Sequence, residues 1–176
     1  MRIISGTYRG KQIHPPKNFK ARPTTDFAKE GLFNILCNQL EMGELDVLDL
    51  FSGTGSITYE FVSRGARSVV AVESDPLNYR FIRSVCDTLE MDQVSVIRGD
   101  AFRFLKNPVQ PFDLVFADPP FDHPQLDEIP GLVFGSNILT EGGMLILEHP
   151  AKHQFSAHPR FLHLRKYGSV HFSFFK

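Results

Sequence analysis

Apolar runs recur along the chain, separated by segments in which apolar residues return every three or four positions. The runs are LDVLDLF (45–51), SVVAVE (68–73), QVSVIRG (93–99), FDLVFAD (112–118) and GMLILEH (143–149). Near-continuous apolarity over such short lengths predicts strands buried on both faces. Helices are predicted between them, at about 56–64, 76–90, 101–106 and 124–138. Strand and helix in alternation indicate a doubly wound α/β architecture, a mostly parallel sheet with helices on both sides.

The two ends of the chain differ from this pattern. RIISGTYRGKQIHPP alternates and turns at Gly6 and Gly10, which predicts a small N-terminal β-hairpin. RPTTD then places Thr24 or Thr25 to cap a helix whose Leu32, Ile35, Leu36 and Leu40 share a face. FLHLRKYGSVHFSFF is two extended runs turning near Gly168, an antiparallel hairpin at the sheet edge. With no repeat, linker or low-complexity tract, residues 1–176 are expected to form a single domain, with 1–25 as a basic extension packed on it.

Composition excludes more than it selects. The 17 Phe and absent Trp predict a Phe-rich core. No apolar run approaches the roughly 20 residues of a membrane span, and the N-terminus lacks a signal-peptide core, so a cytoplasmic location is expected. Cys37 and Cys86 have no CxxC partner and are expected to be reduced and half-buried. The seven His form no ligand-spaced cluster, and no metal site is predicted.

Charge changes the picture because it is segregated. Residues 1–30 hold seven Lys and Arg against two acids, and residues 149–176 hold five against none, which leaves a net charge of −11 on residues 31–148. Basic ends around an acidic centre suit a polyanionic partner, although two separate solvated ends would give the same count.

The candidate chemistry lies at the strand ends. DLFSGTGS closes the first strand, with Gly53 and Gly55 in position for a tight turn and close ligand approach. Glu73 follows Gly55 by 18 residues at the end of the second strand, the spacing at which an acid reaches ribose hydroxyls. A dinucleotide fingerprint would carry a third glycine where Thr58 stands, and Asp49 before the turn would repel a pyrophosphate. Asp49 suits instead the cationic amino-acid end of S-adenosylmethionine. Asp100, at the third strand's end with Ala101, is placed to read an adenine edge or simply to cap a helix.

The fourth run ends in DPPF, Asp118 to Phe121. Two prolines cannot continue a central strand, so the carboxylate sits at the sheet's C-terminal edge, where α/β folds bind ligands. Asp118 and the Pro119 carbonyl can accept the two N–H bonds of an exocyclic amine, Pro120 stiffens the turn, and Phe121 offers a face for stacking an extruded base.

DLFSGTGS with Glu73, Asp100 and DPPF resembles class I S-adenosylmethionine-dependent methyltransferases acting on exocyclic amines. RIISGTYRGKQI, RPTTDFAKEGLFNIL and DPPF in this order resemble, more narrowly, the bacterial 16S ribosomal RNA guanine-N2 methyltransferases of the RsmD-like family, over nearly the whole chain. The resemblance implies a Rossmann-like seven-stranded sheet and a guanine of 16S ribosomal RNA, in the small ribosomal subunit, as substrate. It implies cofactor positions at Asp49, Phe51, Gly53, Gly55, Glu73, Asp100 and Ala101, and amine-facing positions at Asp118, Pro119, Pro120 and Phe121. Arg9, Lys11, Lys17, Lys20 and Arg22 would then neutralise phosphates around the target, with Arg22 equally suited to anchoring an acid near the cofactor. Direct methyl transfer is expected, since neither Cys lies near the DPPF. An adenine-N6 methyltransferase on DNA or RNA, a nicotinamide oxidoreductase and a non-catalytic assembly factor remain rival readings. The Pro-rich DHPQLDEIPG after the motif departs from the family pattern and bears on the base pocket.

Overall fold

The apolar runs form strands β1 (Asp46–Leu50), β2 (Ser68–Glu73), β3 (Val94–Arg98), β4 (Phe112–Ala117) and β5 (Leu139–His149), and the C-terminal pair forms β6 (Phe161–Tyr167) and β7 (Val170–Phe175). Helices α1 (Asp26–Gln39), α2 (Ser56–Ser63), α3 (Pro76–Thr88), α4 (Ala101–Lys106) and α5 (Ile129–Phe134) lie between them. The computed structural model describes residues 1–16 and 25–176. The sheet has the order β3-β2-β1-β4-β5-β7-β6. Strands β1 to β5 run parallel, and β7 returns antiparallel between β5 and β6. The order reverses between β2 and β4 on either side of β1, which opens a crevice above the C-terminal end of β1.

Period-two alternation divides the strand residues between two cores. Val47, Val69, Leu114, Phe116, Ile146, Phe172 and Phe174 face one side, packed with Leu32, Phe33 and Leu36 of α1, Phe61 of α2 and Ile82 of α3. Leu48, Leu50, Val72, Val115, Ala117, Leu147 and Phe175 face the other, with Phe102 and Leu105 of α4 and Ile129 and Val133 of α5. Thr25 caps α1 by accepting the Ala28 N–H at 3.2 Å.

Several expectations need correction. The helix predicted over 124–138 is a 3-10 turn at Leu126–Glu128 followed by the short α5. Pro130 lies in the first turn of α5, where its missing N–H costs nothing, whereas further upstream it would interrupt a helix. Strand β5 begins at Leu139 rather than 143. The N-terminal hairpin, by contrast, forms as expected: the antiparallel Arg2–Gln12 bridge is flanked by the Ile3 N–H on the Lys11 carbonyl at 3.1 Å and the Ile13 N–H on the Met1 carbonyl at 2.9 Å. Cys37 is exposed and Cys86 buried, instead of both being half-buried; burial pushes the Cys86 thiol up to about 12.

The N-terminal segment owes its position to α2. Ile4 and Ser5 donate their N–H groups to the Glu60 carboxylate at 2.8 and 3.1 Å, and the Thr7 N–H reaches the Ser63 carbonyl at 2.7 Å. Gly6, at φ +82°, passes so close that a Cβ would lie 1.7 Å from the Ser63 oxygen, so no other residue fits there. Lys29, grouped above with the basic surface of the N-terminal end, is only 1% exposed. Its ammonium donates to the Arg2 carbonyl at 2.7 Å and to Ser56 Oγ at 3.1 Å, and pairs with Glu60. It therefore adds nothing to a charged surface.

Candidate active site

Strand β1 delivers Asp49 and then breaks. Phe51 adopts φ +60°, an uncommon conformation for a non-glycine residue, and Ser52 closes the turn by donating Oγ–H to the Asp49 carbonyl at 2.7 Å. Gly55, at φ +81°, precedes α2; a Cβ there would meet the Tyr59 ring at 2.5 Å. Above this turn opens a cavity of about 580 Å³, reached by the ends of β1, β2, β4 and β5.

Asp49, Phe51, Gly53, Glu73, Asp100, Ala101 and the whole of Asp118–Phe121 line the cavity. Gly55 stands behind the wall and shapes the turn. Arg9 and Lys11 are exposed on the N-terminal segment, whereas Lys17, Lys20 and Arg22 lie outside the described residues. Among the described residues no group of His, Cys, Asp and Glu could hold a metal ion, and no helix is long and apolar enough to cross a membrane.

The acids differ in their surroundings. Asp49 is 1% exposed and accepts the Thr58 hydroxyl at 2.5 Å; burial pushes its carboxyl up to about 7, against the pull of that hydrogen bond. Glu73 accepts the Gly53 N–H at 2.7 Å and the Asp75 N–H at 2.7 Å, one on each carboxylate oxygen. Burial nevertheless raises its carboxyl above the ordinary range. Each oxygen keeps a second lone pair available to the cavity. Asp100 caps α4, accepting the Arg103 N–H at 2.8 Å on one oxygen, and it also lines the cavity.

Asp118 follows β4, its N–H donated to the Leu50 carbonyl at 3.3 Å. Burial, then the nearby Glu148 and Asp49 carboxylates, raise its carboxyl well above the usual range, although part of the residue stays open to the cavity. A turn closed by the His123 N–H on the Pro120 carbonyl, 2.8 Å, leaves Phe121 37% exposed at the rim. His123 in turn stacks on Phe102, ring centres 4.7 Å apart. A buried acid ready to meet a cation, a hydrogen-bonded acid at the second strand end and a mixed apolar wall together fit a nucleoside with a cationic end, as S-adenosylmethionine is.

Among the lining residues that sequence reasoning did not place at the site are Thr25, Glu148, Ser169 and Val170. Thr25 both caps α1 and lines the cavity. Ser169 and Val170, at the β6–β7 turn, reach the cavity by a tertiary return that leaves no local signal. Glu148 also lines it, at the end of β5. The rule that drew attention to Asp49, Glu73, Asp100 and Asp118, an acid closing an apolar run, applies equally to GMLILEH and would have found it.

The family model described as Conserved hypothetical protein 95 matches residues 1–176. A ribosomal RNA small subunit methyltransferase D from Haemophilus influenzae is 35% identical over 152 residues, 84% of this chain and 78% of that protein. Its namesake from Buchnera aphidicola subsp. Baizongia pistaciae is 32% identical over 148 residues, 84% of this chain and 75% of the relative. The solved structure of Escherichia coli yhhF superposes with a TM-score of 0.86 at 28% identity, covering 99% of this chain and 96% of that one. On fold, strand-end acids and sequence together, the chain belongs to the RsmD-like family of S-adenosylmethionine-dependent methyltransferases.

Proposed function

We propose that this methyltransferase modifies the exocyclic N2 amine of a guanine in 16S ribosomal RNA, in the small ribosomal subunit. The observation that carries the reading is the position of Asp118 and Pro119: both line the cavity at the end of β4, beside the strand whose end holds Asp49. The relatives named as small-subunit ribosomal RNA methyltransferases support the substrate class. The site is expected to work in the cytoplasm, where such subunits are assembled.

S-adenosylmethionine, when bound, supplies an electrophilic methyl group. Asp49 would hold its cationic end, Glu73 its ribose, and Asp100 with Ala101 its adenine; Phe51 and Gly53 shape the floor. Asp118 and the Pro119 carbonyl would accept the two N–H bonds of the amine. Such bonds turn the nitrogen lone pair away from the ring and favour the positive charge that develops on it. Phe121 would stack on the extruded base, worth about 1–3 kcal/mol. Arg9 and Lys11, with Lys17, Lys20 and Arg22, would meet the phosphates around it.

The test is transfer of labelled methyl groups to small subunits from a strain lacking the protein, with naked 16S RNA and DNA in parallel, followed by nucleoside digestion. Label in N2-methylguanosine is expected. Label in N6-methyladenine would overturn the base, and none at all would point to an assembly role.

A further inference from the structure

Glu148 is only 3% exposed, yet it lines the same cavity as Asp118. Strands β4 and β5 run parallel and adjacent, with Phe116 opposite Ile146 and Ala117 opposite Leu147. One step further along both strands, Asp118 and Glu148 stand side by side. Period two puts them on the face that carries Phe116 and Ile146, and on the neighbouring β1 Asp49 pairs with Phe116. A buried second carboxylate thus stands next to the amine-holding position.

We infer that Glu148 selects guanine, by accepting the ring N1–H beside the amine that Asp118 and Pro119 hold. This rests on the reading of Asp118–Phe121 as the amine-holding motif. The warrant is the pattern of donors on the base edge. Guanine presents N1–H and N2–H2 side by side, so both neighbouring positions require acceptors, and a carboxylate can only accept. Adenine presents N6–H2 beside a bare N1 lone pair, which a carboxylate repels. The DPPF motif alone can grip either amine; an ionised carboxylate at the next strand end matches the guanine edge and opposes the adenine one.

Direct binding tests the inference without relying on turnover. Guanosine and 2-aminopurine riboside share the N2 amine, but the latter carries a lone pair at N1, and its fluorescence reports binding. Each is titrated against the full chain saturated with S-adenosylhomocysteine. The wild type is expected to favour guanosine by about tenfold or more, since a site built to accept a hydrogen leaves its carboxylate opposed when that hydrogen is missing. Glu148→Gln supplies an amide N–H that can serve the N1 lone pair, so its affinity for 2-aminopurine riboside should rise and the ratio fall below about threefold. A loss of packing alone would weaken both nucleosides and leave the ratio unchanged. An unchanged ratio, or a wild type that binds the two alike or binds neither, overturns the role of Glu148. Failure of the wild type to methylate guanine in the subunit assay would instead overturn the parent reading.

Discussion

The Lys29 ammonium and the Glu60 carboxylate lie 3.6 Å apart with solvent excluded from both. Glu60 also accepts the Ile4 and Ser5 N–H groups and pairs with Arg64 at 2.8 Å, while Lys29 bonds Ser56 at the start of α2. One buried ion pair therefore joins the N-terminal segment, α1 and the helix that follows the Gly-rich turn. Its position links the end bearing Arg9 and Lys11 to the cavity wall.

Lys29→Met should destabilise the fold by about 3 kcal/mol, the low end for removing one partner of a buried pair, because Arg64 still faces the stranded Glu60. The urea midpoint measures the loss. Faster hydrogen exchange at Ile4 and Ser5 should accompany it; a wild-type midpoint would show that the pair contributes no net stability.

Asp49 predicts two opposite responses to pH. With its carboxyl raised to about 7, the ligand-free fold binds this proton more tightly than the unfolded chain does. Its contribution to stability is then full below about pH 4, the ordinary carboxylate range, and is lost as pH rises through about 7. Affinity for the cationic cofactor should move the other way, falling as pH drops below about 7, by at most tenfold per unit. Asp49→Asn should lessen both slopes, the raised Glu73 and Asp118 carboxyls keeping a remainder, as followed by thermal unfolding and by calorimetric titration at several pH values.

Glu73→Ala removes the acceptor of the Gly53 and Asp75 N–H groups together with the carboxylate facing the cavity. Cofactor affinity should fall roughly 10- to 100-fold, since charged hydrogen bonds contribute about 1.5–3 kcal/mol each. Calorimetry at neutral pH checks this, and an unaltered dissociation constant would remove Glu73 from the cofactor site.

Most of the frame was legible because the elements are locally determined. The near-continuous apolarity of β2 and β4, bounded by turn residues, fits a doubly covered strand, and each strand-end acid stands out against the run it closes. Where tertiary contacts decide, the sequence was silent. Lys29 looks like any solvated helix lysine until Glu60, 31 positions away, is folded against it. Ser169 and Val170 reach the cavity only because β7 inserts beside β5. Glu148, by contrast, closes its apolar run as the other strand-end acids do and was legible by the same pattern. Arg9 and Lys11 are exposed as expected, yet charge counting also included a lysine that burial removes from the surface.

Asp118 carries the last prediction. Its carboxyl holds a proton to higher pH than an ordinary aspartate, through burial and through the Glu148 and Asp49 carboxylates. An amine losing its lone-pair delocalisation is better met by the ionised form, which has all its lone pairs free. The rate of methyl transfer at low RNA concentration should therefore rise with pH through that elevated range. Asp118→Asn keeps the shape but not the charge and should lower kcat by about 10²–10³, the usual cost of one stabilising group in a dry site, with the pH dependence lost. Cofactor affinity should hardly change, because the residues facing the cofactor are untouched. Equal turnover by the variant would falsify the assignment of Asp118, and a parallel loss of cofactor binding would place it on the cofactor instead of the base.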